Sequence, residues 1–109
     1  MPTIPLYDGA FDIKTQDIPR SKTNDVTTRI ITYRCNANQQ EVLAFYQQVL
    51  AREGWRLNSP QTPIPDALYF SISSDVGSRD PVYGVRISAK DLDDRTTDVE
   101  INLGEYLAR

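Results

Sequence analysis

The sequence contains no histidine. Without this residue the chain cannot form a Ser-His or Cys-His nucleophile pair, and it cannot supply imidazole ligands to zinc, iron or copper. A general base active near neutral pH would have to be a perturbed carboxylate, lysine or tyrosine. Because these absences exclude the commonest kinds of catalytic site, we predict a chain that is not an enzyme, with no catalytic residue, no metal and no cofactor.

Cysteine, excess positive charge and long apolar runs are also scarce. The one cysteine, Cys35, has no partner for an intramolecular disulfide. The formal net charge is −3, whereas binding to nucleic acid needs a surplus of Lys and Arg. No apolar run approaches the roughly 20 residues of a membrane-spanning helix. We therefore expect neither a nucleic-acid partner nor a membrane span.

The residues that are present indicate one globular domain. Of the 109 residues, 39% are apolar and 25% are charged, which is typical of a folded chain. A chain of this length can bury one core without a disulfide or metal. Pro2 and Pro5 predict an extended arm or linker over residues 1–7, and residues 8–109 then form a single domain.

Residues 39–53 predict an amphipathic helix with a signal at each end. Asn38 can cap the first turn, and the Glu41 carboxylate can reach back to the amide of the cap residue. Apolar residues recur at the spacing of one buried face: Val42, Phe45, Tyr46, Val49 and Leu50. Gly54 can adopt the left-handed conformation that ends a helix, which lets Trp55 fold back onto Leu50.

The remaining periodic segments alternate as β-strands do. Residues 10–14 predict a short edge strand, residues 15–25 a mobile loop, and residues 27–35 a longer strand. After the helix we expect a strand starting at residues 55–57, then an irregular proline-rich connection over residues 59–66. The last part of the chain predicts an antiparallel meander, with strands at 68–73, 82–90 and 96–103. A turn at 75–81 and a loop at 91–95 would connect these strands. The fold class is therefore α+β: a two-layer sandwich of one long helix on a twisted, mainly antiparallel sheet of about four to six strands.

Four residues are candidates for a contact surface. Tyr7 and Tyr69 are the tyrosines least easily assigned to the core, and Arg86 falls on the polar face of the sheet. Trp55, with Phe70, could line an apolar pocket under the helix. Two surfaces remain open at this point, the polar sheet face and the groove between the helix and the edge of the sheet.

Two other features favour structural interpretations. The acidic segment from Asp91 to Asp98 lacks the glycine and glutamate that a helix-loop-helix calcium site needs at its sixth and twelfth positions, because Thr96 and Asn102 stand there. A hairpin turn explains its acidity better. Cys35 lies on the apolar face of its strand, where a small buried side chain is expected.

The sequence also resembles a group of small bacterial domains. The similarity lies in Leu6-Tyr7-Asp8-Gly9-Ala10, in Thr32-Tyr33 on the following strand, in Glu41-Val42-Leu43-Ala44-Phe45-Tyr46, and in Leu50 followed by Gly54-Trp55. The group has a tyrosine-proline-glycine-alanine start, and Asp8 stands where proline is common. Such domains often occur in exported proteins and lipoproteins without an assigned activity. The resemblance implies an α+β domain and carries over no catalytic residue.

We therefore predict a binding or interaction module, with the soluble domain of an envelope-associated protein as one form of it. Its partner would be a protein or a cell-surface component. A carrier of small apolar ligands is the alternative, and an enzyme that uses only carboxylate and tyrosine chemistry is the third. If Met1 is not the native first residue, the resemblance favours an extracytoplasmic location; if it is native, a cytoplasmic one follows. The sequence leaves the oligomeric state open.

Overall fold

A computed structural model describes residues 3–23, 26–58, 67–73, 82–93 and 95–106. Within these ranges one helix packs on a six-stranded antiparallel sheet, which confirms the predicted α+β architecture. The elements follow in the order β1 Phe11–Ile18, β2 Val26–Cys35, α1 Gln39–Arg52, β3 Arg56–Asn58, β4 Ala67–Ser73, β5 Val82–Asp91 and β6 Thr97–Tyr106. The predicted proline-rich connection at 59–66 and the predicted turn at 75–81 both lie outside the described residues.

The start of α1 is confirmed, with one difference in the capping contacts. The Asn38 side chain accepts a hydrogen bond from the backbone N–H of Glu41 at 2.8 Å. The Glu41 carboxylate accepts its bond from the side-chain amide of Asn38 at 3.0 Å, not from the predicted backbone amide. The two side chains thus bind each other while one backbone donor of the first turn is satisfied.

The end of α1 forms a Schellman motif, as Gly54 and Trp55 predicted. Gly54 has φ of 92°, a left-handed conformation that glycine adopts without steric cost. The Trp55 N–H donates to the Leu50 carbonyl at 2.9 Å, and the Gly54 N–H donates to Ala51 at 3.2 Å. These two bonds turn the chain from the helix into β3.

The sheet has the strand order β1-β2-β6-β5-β4-β3, with every neighbouring pair antiparallel. Strands β4, β5 and β6 are consecutive neighbours, which confirms the predicted meander. Strand β2 pairs with β6 along its whole length, from Val26 opposite Tyr106 to Cys35 opposite Thr97. The short strand β3 and the longer β1 form the two edges.

The core lies between α1 and one face of the sheet. The helix buries Val42, Tyr46 and Leu50, while Phe45 and Val49 of the predicted face are only partly buried. On the sheet, alternate residues of β6 are all buried: Thr97, Val99, Ile101 and Leu103. Alternate residues of each strand point to the opposite face of the sheet, which we call the open face.

The N-terminal segment differs from expectation at β1. The strand continues to Ile18, so residues 15–18 of the predicted loop are β-structure. Every β1 residue is exposed, and polar side chains are tolerated because this edge strand needs only backbone pairing with β2. A bulge at Asp12, where φ is 53°, shifts the register between Phe11 and Lys14. Before β1, Ile4 of the predicted arm is buried in the core.

Candidate binding surface on the open face of the sheet

Two neighbouring cross-strand rows on the open face differ in side-chain size. The registers of β4, β5 and β6 align a row of large polar residues, Tyr69, Arg86 and Asn102. Beside it they align a row of small residues, Ser71, Gly84 and Gly104. Because the small side chains lie beside a row of large ones, they leave a trough in the surface of the sheet.

This trough is part of a surface depression of about 390 Å³. Both rows contribute to its lining, and Tyr106, two residues beyond Gly104 on β6, lines it as well. The volume falls at the lower end of the range of small-molecule sites. The depression can therefore admit a small molecule or one or two units of a polymer.

Tyr106 packs directly on the glycine pair. A Cβ placed on Gly104 would lie 3.0 Å from Tyr106 Cε2, and a Cβ placed on Gly84 would lie 3.3 Å from the same atom. Tyr106 nevertheless stays 49% exposed. The two glycines thus allow the ring to approach the backbone closely, so that the aromatic wall of the depression rests on the strands instead of extending into solvent.

Arg86 supplies the positive charge of the depression. Its Nη2 donates to Glu100 Oε2 at 2.9 Å, and each of the two side chains is 42% exposed. Its Nε is buried and, among the described residues, has no hydrogen-bond partner. A buried donor without an acceptor costs about 1–3 kcal/mol. Arg86 therefore retains hydrogen-bonding capacity that the described part of the chain does not use.

The four predicted contact residues do not form one site. Tyr69 and Arg86 are direct cross-strand partners in the depression. Tyr7 lies on the other side of the sheet, where its ring meets the edge of Phe45 at a centroid distance of 5.2 Å. Trp55 is only 6% exposed and belongs to the core. An apolar ligand held between Trp55 and Phe70, which is 3% exposed, would therefore require core side chains to move.

Gly84, Gly104 and Tyr106 were not among the predicted contact residues. The strand predicted over residues 96–103, in which side chains alternate between the two faces, includes Asn102 but ends before Gly104 and Tyr106. The same two-residue alternation, continued by three residues, puts Gly104 and Tyr106 on the face of Asn102. The signal was present in β6, but the pairing of Gly104 with Gly84 requires the register of two strands.

A buried pair of tyrosines joins the helix to the sheet. The hydroxyl groups of Tyr33 on β2 and Tyr46 on α1 are 2.6 Å apart, and the backbone N–H of Tyr7 donates to the Tyr33 hydroxyl at 3.1 Å. Desolvation raises the pKa of both phenols above their ordinary value. Since a phenol with a raised pKa stays protonated near neutral pH, this pair ties elements together and offers no general base.

The start of α1 is also tied to the sheet, through the acidic segment. The Asp91 carboxylate accepts a hydrogen bond from the Gln39 backbone N–H at 2.7 Å, and the Gln39 side-chain amide donates to the Ala89 carbonyl at 2.7 Å. The Thr97 hydroxyl lies 3.0 Å from the same Asp91 oxygen and 2.5 Å from the Ala37 carbonyl. Asp91 is the last residue of β5, not a residue of the predicted loop, and it places negative charge at the helix N-terminus.

Cys35 is buried at the end of β2, which confirms its predicted role as a small core side chain. Burial raises the pKa of its thiol. Thr97 is the only buried polar or charged residue among those the structure describes. Over the same ranges, no group of three or more acidic or cysteine side chains is placed to hold a metal ion.

Comparison with protein-family models, with curated proteins and with solved structures finds no match to this chain. The described helix has 14 residues and is too short to cross a membrane.

Proposed function

We propose that this chain is a non-enzymatic binding module and that its contact surface is the depression on the open face. In this proposal the fold is a two-layer sandwich: the helix covers one face of the sheet, and the other face is left for a partner. The observation that carries the proposal is the depression itself, which is lined by Tyr69, Arg86, Asn102 and Tyr106 together with the small residues Ser71 and Gly84.

The side chains of the depression suit binding better than catalysis. Tyrosine offers apolar area together with a polar tip, and arginine and asparagine offer fixed donors and acceptors. The one carboxylate bonded to Arg86, that of Glu100, is partly exposed. Its hydrogen bond to Arg86 holds the guanidinium in place at the depression.

We further propose that the chain belongs with the small bacterial domains it resembles and serves as the extracytoplasmic domain of an envelope-associated protein. The residues of the resemblance have structural roles that suit such a domain. Glu41 takes part in the helix cap, Gly54 and Trp55 end the helix, and Tyr46 is buried against Tyr33.

The proposal is tested by mapping small ligands on the ¹⁵N-labelled chain by NMR. The library would contain neutral sugars, sugar acids, dipeptides and small aromatic acids, because the partner is not yet identified. We expect the amide signals of Tyr69, Arg86 and Tyr106 to shift with at least one class of ligand. Shifts confined to the helix side, or no shift with any class at millimolar concentration, would contradict the proposed surface.

The same samples test the absence of turnover. Each ligand that binds is incubated with the protein for a day, and its own proton spectrum is compared with that of a protein-free sample. We expect identical spectra. Conversion that is lost in a Glu100→Gln variant but kept in Glu53→Gln, which changes an exposed residue at the end of α1, would show an enzyme instead.

A further inference from the structure

We infer that the ligand of the depression is an acidic saccharide, a sugar ring that carries a carboxylate. This inference rests on the proposed function and specifies the chemical class of its partner. Three observations support it: the free donor of Arg86, the local balance of charge, and the combination of tyrosine rings with an amide.

The free donor indicates an acceptor on the ligand. Arg86 uses Nη2 for Glu100, while its Nε is buried without a partner in the described part of the chain. A guanidinium presents its N–H groups as a planar fork that matches the two oxygens of a carboxylate. A small shift of the surrounding side chains would let a ligand carboxylate reach this fork, and the cost of the unpaired donor would then be recovered.

The local charge indicates that one carboxylate of the ligand lies in the depression. In the described strands β3 to β6, Arg56 on β3 lies opposite Ser71 and therefore stands at the β3 end of the row of small residues. Adjacent strands are about 4.8 Å apart, which puts Arg56 and Arg86 on strands about 10 Å from each other with β4 between them. Among the described residues, Arg86 in the depression, Arg56 beside it and Glu100 bonded to Arg86 together carry one net positive charge, which suits a carboxylate better than a doubly charged phosphate.

The remaining side chains suit a sugar ring. Tyr69 and Tyr106 border the depression with aromatic rings, against which the C–H face of a sugar ring can pack. Asn102 lies opposite Arg86 on β6 and offers both a donor and an acceptor for hydroxyl groups. The volume of about 390 Å³ accommodates one or two sugar units, so a polymer would bind through a short stretch of its chain.

The test compares a linear tetramer of galacturonic acid with the neutral galactose tetramer, titrated into the full chain by calorimetry and ¹⁵N NMR. We expect the acidic tetramer to bind at least about tenfold more tightly, because hydrogen bonds to charged groups contribute about 1.5–3 kcal/mol. Raising NaCl from about 0.05 M to about 0.5 M should weaken the acidic tetramer much more than the neutral one.

Arg86→Gln should raise the Kd for the acidic tetramer by about tenfold or more. Arg86→Lys, which keeps the charge but not the fork, should give a smaller loss and serves as a second variant if Arg86→Gln fails to fold. The matched control is Arg34→Gln, an arginine of the same face that pairs with Asp12 at 3.8 Å and lies outside the depression. It should change the Kd by less than about twofold.

The outcomes separate this inference from the proposed function. Equal binding of the two tetramers at the depression would overturn the acidic class and leave the binding surface intact. If dipeptides or aromatic acids shift Tyr69 and Tyr106 while neither tetramer binds, the inference is wrong and the proposed function stands. If no ligand class reaches the depression, both are wrong.

Discussion

The hydroxyl pair of Tyr33 and Tyr46 predicts an unequal loss of stability from two similar substitutions. The Tyr33 oxygen has two partners, the Tyr46 hydroxyl at 2.6 Å and the backbone N–H of Tyr7 at 3.1 Å. Tyr46→Phe removes one bond and leaves the bond from Tyr7 in place. Tyr33→Phe leaves both the buried Tyr46 hydroxyl and the Tyr7 N–H without a partner.

The magnitudes follow from the number of groups left unpaired. One lost hydrogen bond predicts a decrease of about 1 kcal/mol in the free energy of unfolding for Tyr46→Phe. Two unpaired groups, at about 1–2 kcal/mol each, predict a decrease of about 2–4 kcal/mol for Tyr33→Phe. In the double variant the buried Tyr46 hydroxyl is gone as well, so we expect it to be at least as stable as Tyr33→Phe alone.

Urea unfolding followed by fluorescence of the buried Trp55 measures these differences. At a typical slope for a small domain, Tyr33→Phe should lower the midpoint by about 1–2 M. Tyr106→Phe, at a half-exposed tyrosine, is the control and should change stability by less than about 0.5 kcal/mol. Additive effects in the double variant, or a larger loss from Tyr46→Phe than from Tyr33→Phe, would refute the reasoning.

Three further predictions concern pH, the helix end and the thiol. Burial holds the pKa of Tyr46 above its unfolded value of 10.0. The stability that the protonated phenol contributes is therefore complete below pH 10 and is lost as the pH rises further. Urea unfolding at increasing alkaline pH should show this loss of stability, and the loss should be smaller in Tyr46→Phe. Gly54→Ala should lower the free energy of unfolding by about 1–2 kcal/mol, because the φ of 92° is unfavourable for alanine. The new Cβ would only touch Ile72 at 3.7 Å, so a steric clash is not the cause. Gly54→Asn should lower it less, since asparagine tolerates this conformation better, and equal losses would argue against a conformational cause. Cys35 is buried and the pKa of its thiol is raised, so in the native protein it should react with a thiol reagent no faster than the chain unfolds. Fast labelling in buffer without urea would instead show that the end of β2 opens readily.

The helix could be predicted closely because its determinants are local. Asn38 and Glu41 define its first turn, and Gly54 with Trp55 defines its end, all through contacts within a few residues. The buried faces of β5 and β6 were also predictable, since strict alternation of apolar residues specifies which side of a strand faces the core. Phe45 and Val49 were predicted on the buried face but are only partly buried, because the apolar stripe of the helix is wider than the surface that the sheet covers.

Strand β1 could not be predicted to its full length, because Gln16 and Asp17 interrupt the alternation of apolar and polar residues that Phe11 and Ile13 begin. Lys14, Gln16 and Asp17 are polar, and their segment is a strand because β2 offers it a row of unpaired backbone groups. The link from Asp91 to the start of α1 was likewise hidden. It joins Gln39 to a residue 52 positions away, and a turn explained the local acidity equally well.

The depression was hidden for a related reason, although two of its residues had been singled out. Tyr69 and Arg86 are 17 positions apart in sequence, and only the register of β4 with β5 makes them neighbours. The decisive feature is the alignment of Gly84 with Gly104, since a single glycine in a strand would leave a gap that the neighbouring side chains could fill. Two glycines side by side make space for the ring of Tyr106 and leave the trough beside Arg86. The depression in this chain thus arises where adjacent strands have small residues at the same level, a property of their pairing that neither strand has alone.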